Sequence, residues 1–199
     1  MHRYFVVNKP YDMVSQFVSS HDVRLLGELQ FDFPEGTHAI GRLDNHSEGL
    51  LILTTNKKVT RLLFQGEQPH ERTYLVKVKG EMSADTLQRL KEGVPICIAE
   101  GVDYVTVPCN VEIVQRPPGL FDHPRELPVN VPHTWLLITL TEGKFHQVRK
   151  MVAAVSHRCQ RLIRVSIEGL LLGDLPPGAV KEFEEEEFFR LLKIANYKD

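Results

Sequence analysis

The side chains best able to do chemistry gather in one short stretch of the 199-residue chain. Between Gly41 and Gly49 stand Arg42, Asp44, His46, Ser47 and Glu48, with apolar runs on either side. Turns anchored by a rigid sheet are favoured places for catalysis, and glycines allow the backbone sharp changes of direction. An aspartate in such a turn has two uses. It can cap the turn through its own side chain, or it can present an anion to a substrate. A hydrolase built on Asp44 would want a second carboxylate at a set distance or a metal cluster. Glu48 is the near acid, and the nine histidines show no metal-ligand spacing, so no metal is expected. The three cysteines, Cys97, Cys109 and Cys159, lack a CxxC pair. They suit a reducing cytoplasm, not a disulfide framework, and none lies in a nucleophile pattern.

Net charge is −2, so overall charge does not announce a nucleic-acid partner. Its distribution says more. Residues 144–164 hold six basic side chains (Lys144, Arg149, Lys150, Arg158, Arg161, Arg164) and no acid. That leaves 18 basic against 26 acidic residues elsewhere, a balance of −8. A local basic stretch on an acidic background is what a phosphate-binding face requires, although a solvated basic helix and strand would have the same composition. Hydrophobic and charged shares of 42% and 25% are ordinary for a globular protein. No apolar run approaches the ~20 residues needed to cross a bilayer, so no membrane partner is expected. The opening MHRYFVVNKPYD reads as a first strand ended by Lys9 and Pro10, not as a leader.

The run GRLDNHSEGLLILTTN (41–56) resembles the signature of the RsuA-type pseudouridine synthases. Three other stretches resemble further motifs of that family: VNKPYDMVSQF (7–17), RTYLVKV (72–78) and TLTEGKFHQVRKMVAAVSHRCQRLIRV (139–165). The resemblance covers about residues 4–173, and several details resemble the E branch of its large-subunit members. It implies a cofactor-independent conversion of uridine to pseudouridine in structured RNA, with large-subunit ribosomal RNA favoured and transfer RNA an alternative. By that resemblance Asp44 is the essential aspartate, and Tyr74 lies against the flipped uracil and helps remove the C5 proton. Arg149 pairs with Asp44, and Leu162 or an apolar neighbour packs on the other side of the base.

The reaction breaks the C1′–N1 bond, turns the uracil and joins C5 to C1′. A carboxylate can attack or stabilise the electron-poor C1′, or take a proton from the sugar; sequence leaves this open. A nearby arginine keeps a carboxylate anionic and directed. Flipping the base out costs a few kcal/mol, of which an aromatic platform returns roughly 1–3 kcal/mol. Lys144, Lys150, Arg158, Arg161 and Arg164 are expected to supply the phosphate contacts, some of them being simple surface charges, with Lys9, Arg42, His46 and His146 as further RNA contacts. Arg42 and His46 could instead brace the turn.

Two departures stand out. The first motif begins almost at Met1, so the small RNA-binding S4 module that many relatives carry ahead of it is not expected here. Phe145 and His146 stand where relatives often have other polar residues. The competing reading is a non-catalytic RNA-binding or ribosome-assembly protein with a decayed site, against which the intact Asp44, Tyr74 and Arg149 speak. A monomer is expected.

These groups need a scaffold. Strands are expected at 4–8, 37–40, 50–54, 73–79, 94–98, 104–107, 111–114, 134–140 and 161–167. Helices are expected at 23–31, after Asn56, from Ser83 to a C′ glycine at Gly93, at 146–154 and at 182–194. The last begins with acids that complement the helix dipole. Five prolines within 115–133 predict an extended loop. Strands without strict βαβ alternation give an α+β class. With the resemblance, this becomes a mixed, mainly antiparallel central sheet flanked by helices: one catalytic domain over 1–199 in two subdomains, with a seam near 66–72.

Overall fold

The structure, a computed structural model, describes residues 1–66 and 68–197; residue 67, inside the expected seam at 66–72, lies outside the described residues. In chain order the strands and α-helices are β1 (Tyr4–Lys9), β2 (His38–Ile40), β3 (Glu48–Thr54), α1 (Lys58–Phe64), β4 (Arg72–Lys79), α2 (Ala84–Glu92), β5 (Pro95–Ala99), β6 (Val102–Val105), β7 (Asn110–Val114), β8 (His133–Leu140), α3 (Gln147–Ala154), β9 (Cys159–Ile167), β10 (Leu170–Leu171), β11 (Val180–Phe183) and α4 (Glu185–Leu191). The chain forms two compact units, Met1–Arg72 with Ile163–Asp199, and Thr73–Leu162. The α+β class with a mixed, mainly antiparallel sheet is observed: β3 pairs with β9 in parallel, and the other described registers are antiparallel.

In the first unit, β1 lies between β11 and β3, with Tyr4 opposite both Phe183 and Thr54. Every residue of β1 and β3 is buried, which explains why both read as continuous apolar runs and not as alternating ones. Val59 and Leu63 of α1 and Phe188 and Phe189 of α4 join Tyr4, Val6, Leu50 and Ile52 in one core. Asn56 works as expected at the start of α1, its Oδ1 accepting the Lys58 N–H at 3.0 Å. β3 starts two residues earlier than expected, at Glu48, because Glu48 and Gly49 pair with Ile163 and Arg164. A Cβ on Gly49 would stand 2.3 Å from the Arg164 carbonyl oxygen, so the close strand approach itself demands glycine.

Two expectations fail in this unit. The helix expected at 23–31 is a single 3₁₀ turn, Leu26–Glu28. Leu25 is extended there, and its N–H bonds the Glu28 carboxylate at 2.7 Å. Burying Leu26 and Leu29 requires only that one turn; Phe31 and Phe33 then pack edge-on against Phe5. The terminal helix is shorter than 182–194. Val180–Phe183 is instead recruited as the strand that covers the outer edge of β1, and Glu182 pairs there with Arg3 at 2.6 Å. The acids Glu185, Glu186 and Glu187 do occupy the first turn of α4.

In the second unit β8 lies between β4 and β7, while β5 and β6 form a separate ribbon. α2 and α3 supply Leu90, Val148, Met151 and Val152 to a core shared with Val76, Val78, Leu136 and Ile138. Ser83 caps α2, accepting the Thr86 N–H at 3.2 Å. Gly93 is not the left-handed C′ glycine expected: it has φ +105° and ψ 145° at the C-cap. Its missing Cβ would stand 2.2 Å from the Thr106 carbonyl oxygen, so close backbone approach is what selects it. The proline-rich segment, 115–132, has no helix or strand, yet it is tied down. The Glu126 carboxylate meets Lys77 at 3.2 Å, Arg161 at 3.0 Å and Arg116 at 3.7 Å.

Candidate active site

The turn carrying Asp44 is held by its backbone. Ser15 Oγ accepts the Leu43 N–H at 3.0 Å and donates to the Leu43 carbonyl at 2.8 Å. The Ser47 N–H closes back on the Asp44 carbonyl at 3.0 Å. Arg164 donates to the Gly41 carbonyl at 2.7 Å and to the Leu50 carbonyl at 2.8 Å, gripping both ends of the loop. Lys9 Nζ donates to the carbonyls of Pro10, Met13 and Asn45 at 2.8, 2.5 and 3.3 Å. Asp12 accepts from Asn45 Nδ2 at 3.1 Å and faces His46 at 3.7 Å; the His46 ring is stacked with Tyr11. Asp44 is half-buried within this frame, and Arg42 is exposed.

Lys9 and Arg164 are therefore not offered to phosphates. Lys9 is fully buried and Arg164 is 2% exposed, and their donors go to backbone carbonyls. Burial lowers the Lys9 ammonium from its ordinary 10.5 to about 7, while the charges of Glu48 and Asp44 pull it back up. Sequence reasoning missed Ser15 as the brace of Leu43. Its signal was available: Lys9, Asp12 and Ser15 all lie within VNKPYDMVSQF, a motif that holds the turn.

The second unit brings together the aromatic and cationic candidates. Tyr74 on β4 is half-buried and packs on the same apolar core as Leu162 and the inward face of α3. Arg149 and Lys150 lie half-buried on α3, off its apolar stripe. Arg149 acts electrostatically on the thiol of Cys159, which burial nevertheless raises to about 11. Cys109 is raised to about 11 as well, so both thiols stay protonated at neutral pH. Arg161 belongs with Lys9 and Arg164: it is 3% exposed and its guanidinium is on Glu126. Lys144 is exposed, and His146 is half-buried at the mouth of α3. Among the described residues no cluster of three or more His, Cys, Asp or Glu is placed to hold a metal ion. No helix among them is long and apolar enough to cross a membrane.

Comparison with known proteins places this arrangement. The family model described as RNA pseudouridylate synthase matches residues 3–154. The chain belongs to the RNA pseudouridylate synthase family. It is an RNA pseudouridine synthase, an enzyme that isomerises uridine in RNA. Among its relatives, the ribosomal large subunit pseudouridine synthase E of Vibrio parahaemolyticus is 36% identical over 182 residues, covering 90% of this chain and 73% of that protein. The protein of the same name from Xanthomonas campestris is 38% identical over 179 residues, covering 87% and 91%. A crystal structure of a pseudouridylate synthase superposes with a TM-score of 0.74 at 25% identity, covering 96% of this synthase and 74% of that chain. The turn 41–49 and the strand β4 of this synthase both fall inside the matched region.

Proposed function

We propose that the synthase acts on large-subunit ribosomal RNA in the cytoplasm, as a monomer without a cofactor, using Asp44 as its catalytic carboxylate. The support for the RNA is the agreement among relatives named for the large subunit. The observation that carries the Asp44 assignment is its turn. Five backbone carbonyls and N–H groups within 41–50 are tied to Lys9, Ser15 and Arg164, which fixes the backbone from which the Asp44 carboxylate projects. Preorganisation of this kind is what a charged group must have to act on a forming transition state.

In this reading the target uridine is flipped out of its stack and its uracil rests on Tyr74, with Leu162 on the other side. Arg149 keeps the aspartate anionic and directed. The C1′–N1 bond breaks as Asp44 either attacks C1′ or takes a sugar proton. The uracil turns, C5 bonds to C1′ as the Asp44–C1′ bond breaks or the sugar proton returns to its carbon, the C5 proton leaves with help from Tyr74, and N1 gains a proton, so atoms balance with no external reactant. Lys144, Lys150 and Arg158 are the phosphate-facing cations; Lys9, Arg161 and Arg164 are the frame.

Tritium release from RNA labelled at uridine C5 tests the reading. Asp44→Asn should lower the rate by at least ~10²-fold while RNA affinity holds within about threefold. Equal release by both proteins would remove Asp44 from the chemistry. Arg149→Ala should lower kcat more than affinity.

A further inference from the structure

Phe145 stands in the turn between β8 and α3 and is 68% exposed. The turn is rigidly built. The Lys144 N–H donates to Gln147 Oε1 at 2.9 Å, and the Gln147 N–H returns to the Lys144 carbonyl at 3.1 Å. Gln147 is 5% exposed, and its Nε2 donates to Glu142 at 2.7 Å. Glu142 in turn accepts from the Val107 N–H at 2.9 Å and from the Tyr104 hydroxyl. His146 is held at φ +55°, a left-handed conformation that non-glycine residues seldom adopt. The result is geometric: the rings of Phe145 and His146 lie stacked, centroids 3.8 Å apart and planes 19° apart. Lys150 Nζ stands 5.2 Å from the Phe145 centroid, and Lys144 Nζ 4.6 Å from that of Tyr104.

A large ring held out in water by a hydrogen-bonded turn does nothing for the core of the unit. Its surroundings define what would cover it. Lys150 stands beside the ring, Lys144 precedes it in the chain with its ammonium over Tyr104, and the nearby acid, Glu142, already accepts from three donors. An unpaired nucleotide has the matching chemistry, a flat π face with an anion one sugar away. We propose that Phe145, backed by His146, is a stacking platform for an unpaired base of the RNA substrate, with Lys144 and Lys150 on the adjoining phosphates. This rests on the pseudouridine synthase reading and adds a residue that the chemistry at Asp44 does not require.

The test uses the full chain and a protein-free large-subunit ribosomal RNA transcript carrying [5-³H]uridine. Phe145→Ala should raise Kd and KM ~10-fold, with kcat held within about twofold and the salt slope of binding unchanged, because no charge is lost. Phe145→Leu, apolar but not flat, should behave like the alanine variant, and Phe145→Trp should bind at least as well as the parent. Wild-type affinity in Phe145→Ala, or equal weakening in the alanine and tryptophan variants, overturns the platform. A surface for a protein partner would give the first of these. Failure of the wild-type enzyme to release tritium would count against the function itself, whereas wild-type turnover with an indifferent Phe145→Ala sinks only the platform.

Discussion

Lys9 illustrates how one side chain changes meaning between sequence and structure. Beside a proline near the chain start it reads as a surface cation, yet all its donors are spent on carbonyls within the first unit. Its lowered affinity for protons makes it a stability switch with a definite sign. Between about pH 7 and its ordinary 10.5 the unfolded lysine stays protonated while the buried one releases its proton. The unfolded chain then holds more protons, so the contribution of Lys9 to stability rises with pH across that window and is lowest below it. Urea unfolding from about pH 6.5 to 9.5 should show this rise in the wild type and a flatter curve in Lys9→Met. Parallel curves would mean that the buried amine does not titrate there.

At the scale of elements, the proline-rich segment is the part whose order is least expected. Its lack of regular structure follows from missing N–H donors, but one carboxylate does much to hold its position, beside the Leu127 and Pro132 carbonyls that accept from Lys77 and Gly80. Glu126 compensates two buried cations, Lys77 and Arg161, and also meets Arg116. Burial alone would raise the Glu126 carboxyl, and the three cations more than offset this, holding it below the usual carboxylate range. Stability from this group is present above that range and lost as pH falls through it. Glu126→Gln leaves two buried charges short of a counter-ion and should cost about 3 kcal/mol, measured by urea denaturation at neutral pH. The gap between wild type and variant should narrow on acidification from about pH 7 to pH 3. A constant gap would refute the ionic account.

For the molecule as a whole, charge placement decides how RNA is met. Of the six basic residues in 144–164, Arg161 and Arg164 are internal, and Lys144 and Arg158 are exposed. On an acidic background this is a small cationic footprint, so affinity should depend only moderately on salt. Lys144→Ala with Lys150→Ala should weaken binding to a ribosomal RNA transcript and reduce the slope of log Kd against log salt by roughly 1–2. Arg161→Met should leave that slope unchanged while lowering stability. A slope that falls with Arg161 and not with the two lysines would reverse the assignment.

The local features of this synthase were legible in its sequence. Continuous apolar runs mark β1 and β3 because covered strands need no polar face, and Ser83 and Asn56 announce helix starts through short-range hydrogen bonds. Tertiary structure decided the rest. Whether a cation faces phosphate or carbonyl depends on partners far along the chain: Arg164 on Gly41 and Leu50, Arg161 on Glu126. The fate of Val180–Phe183 depended on an open strand edge at β1, and the exposure of Phe145 on a buried glutamine and a half-buried glutamate in the turn around it. Periodicity reports which residues want burial; desolvation and hydrogen-bond completion, set by segments distant in sequence, determine what each polar group then does.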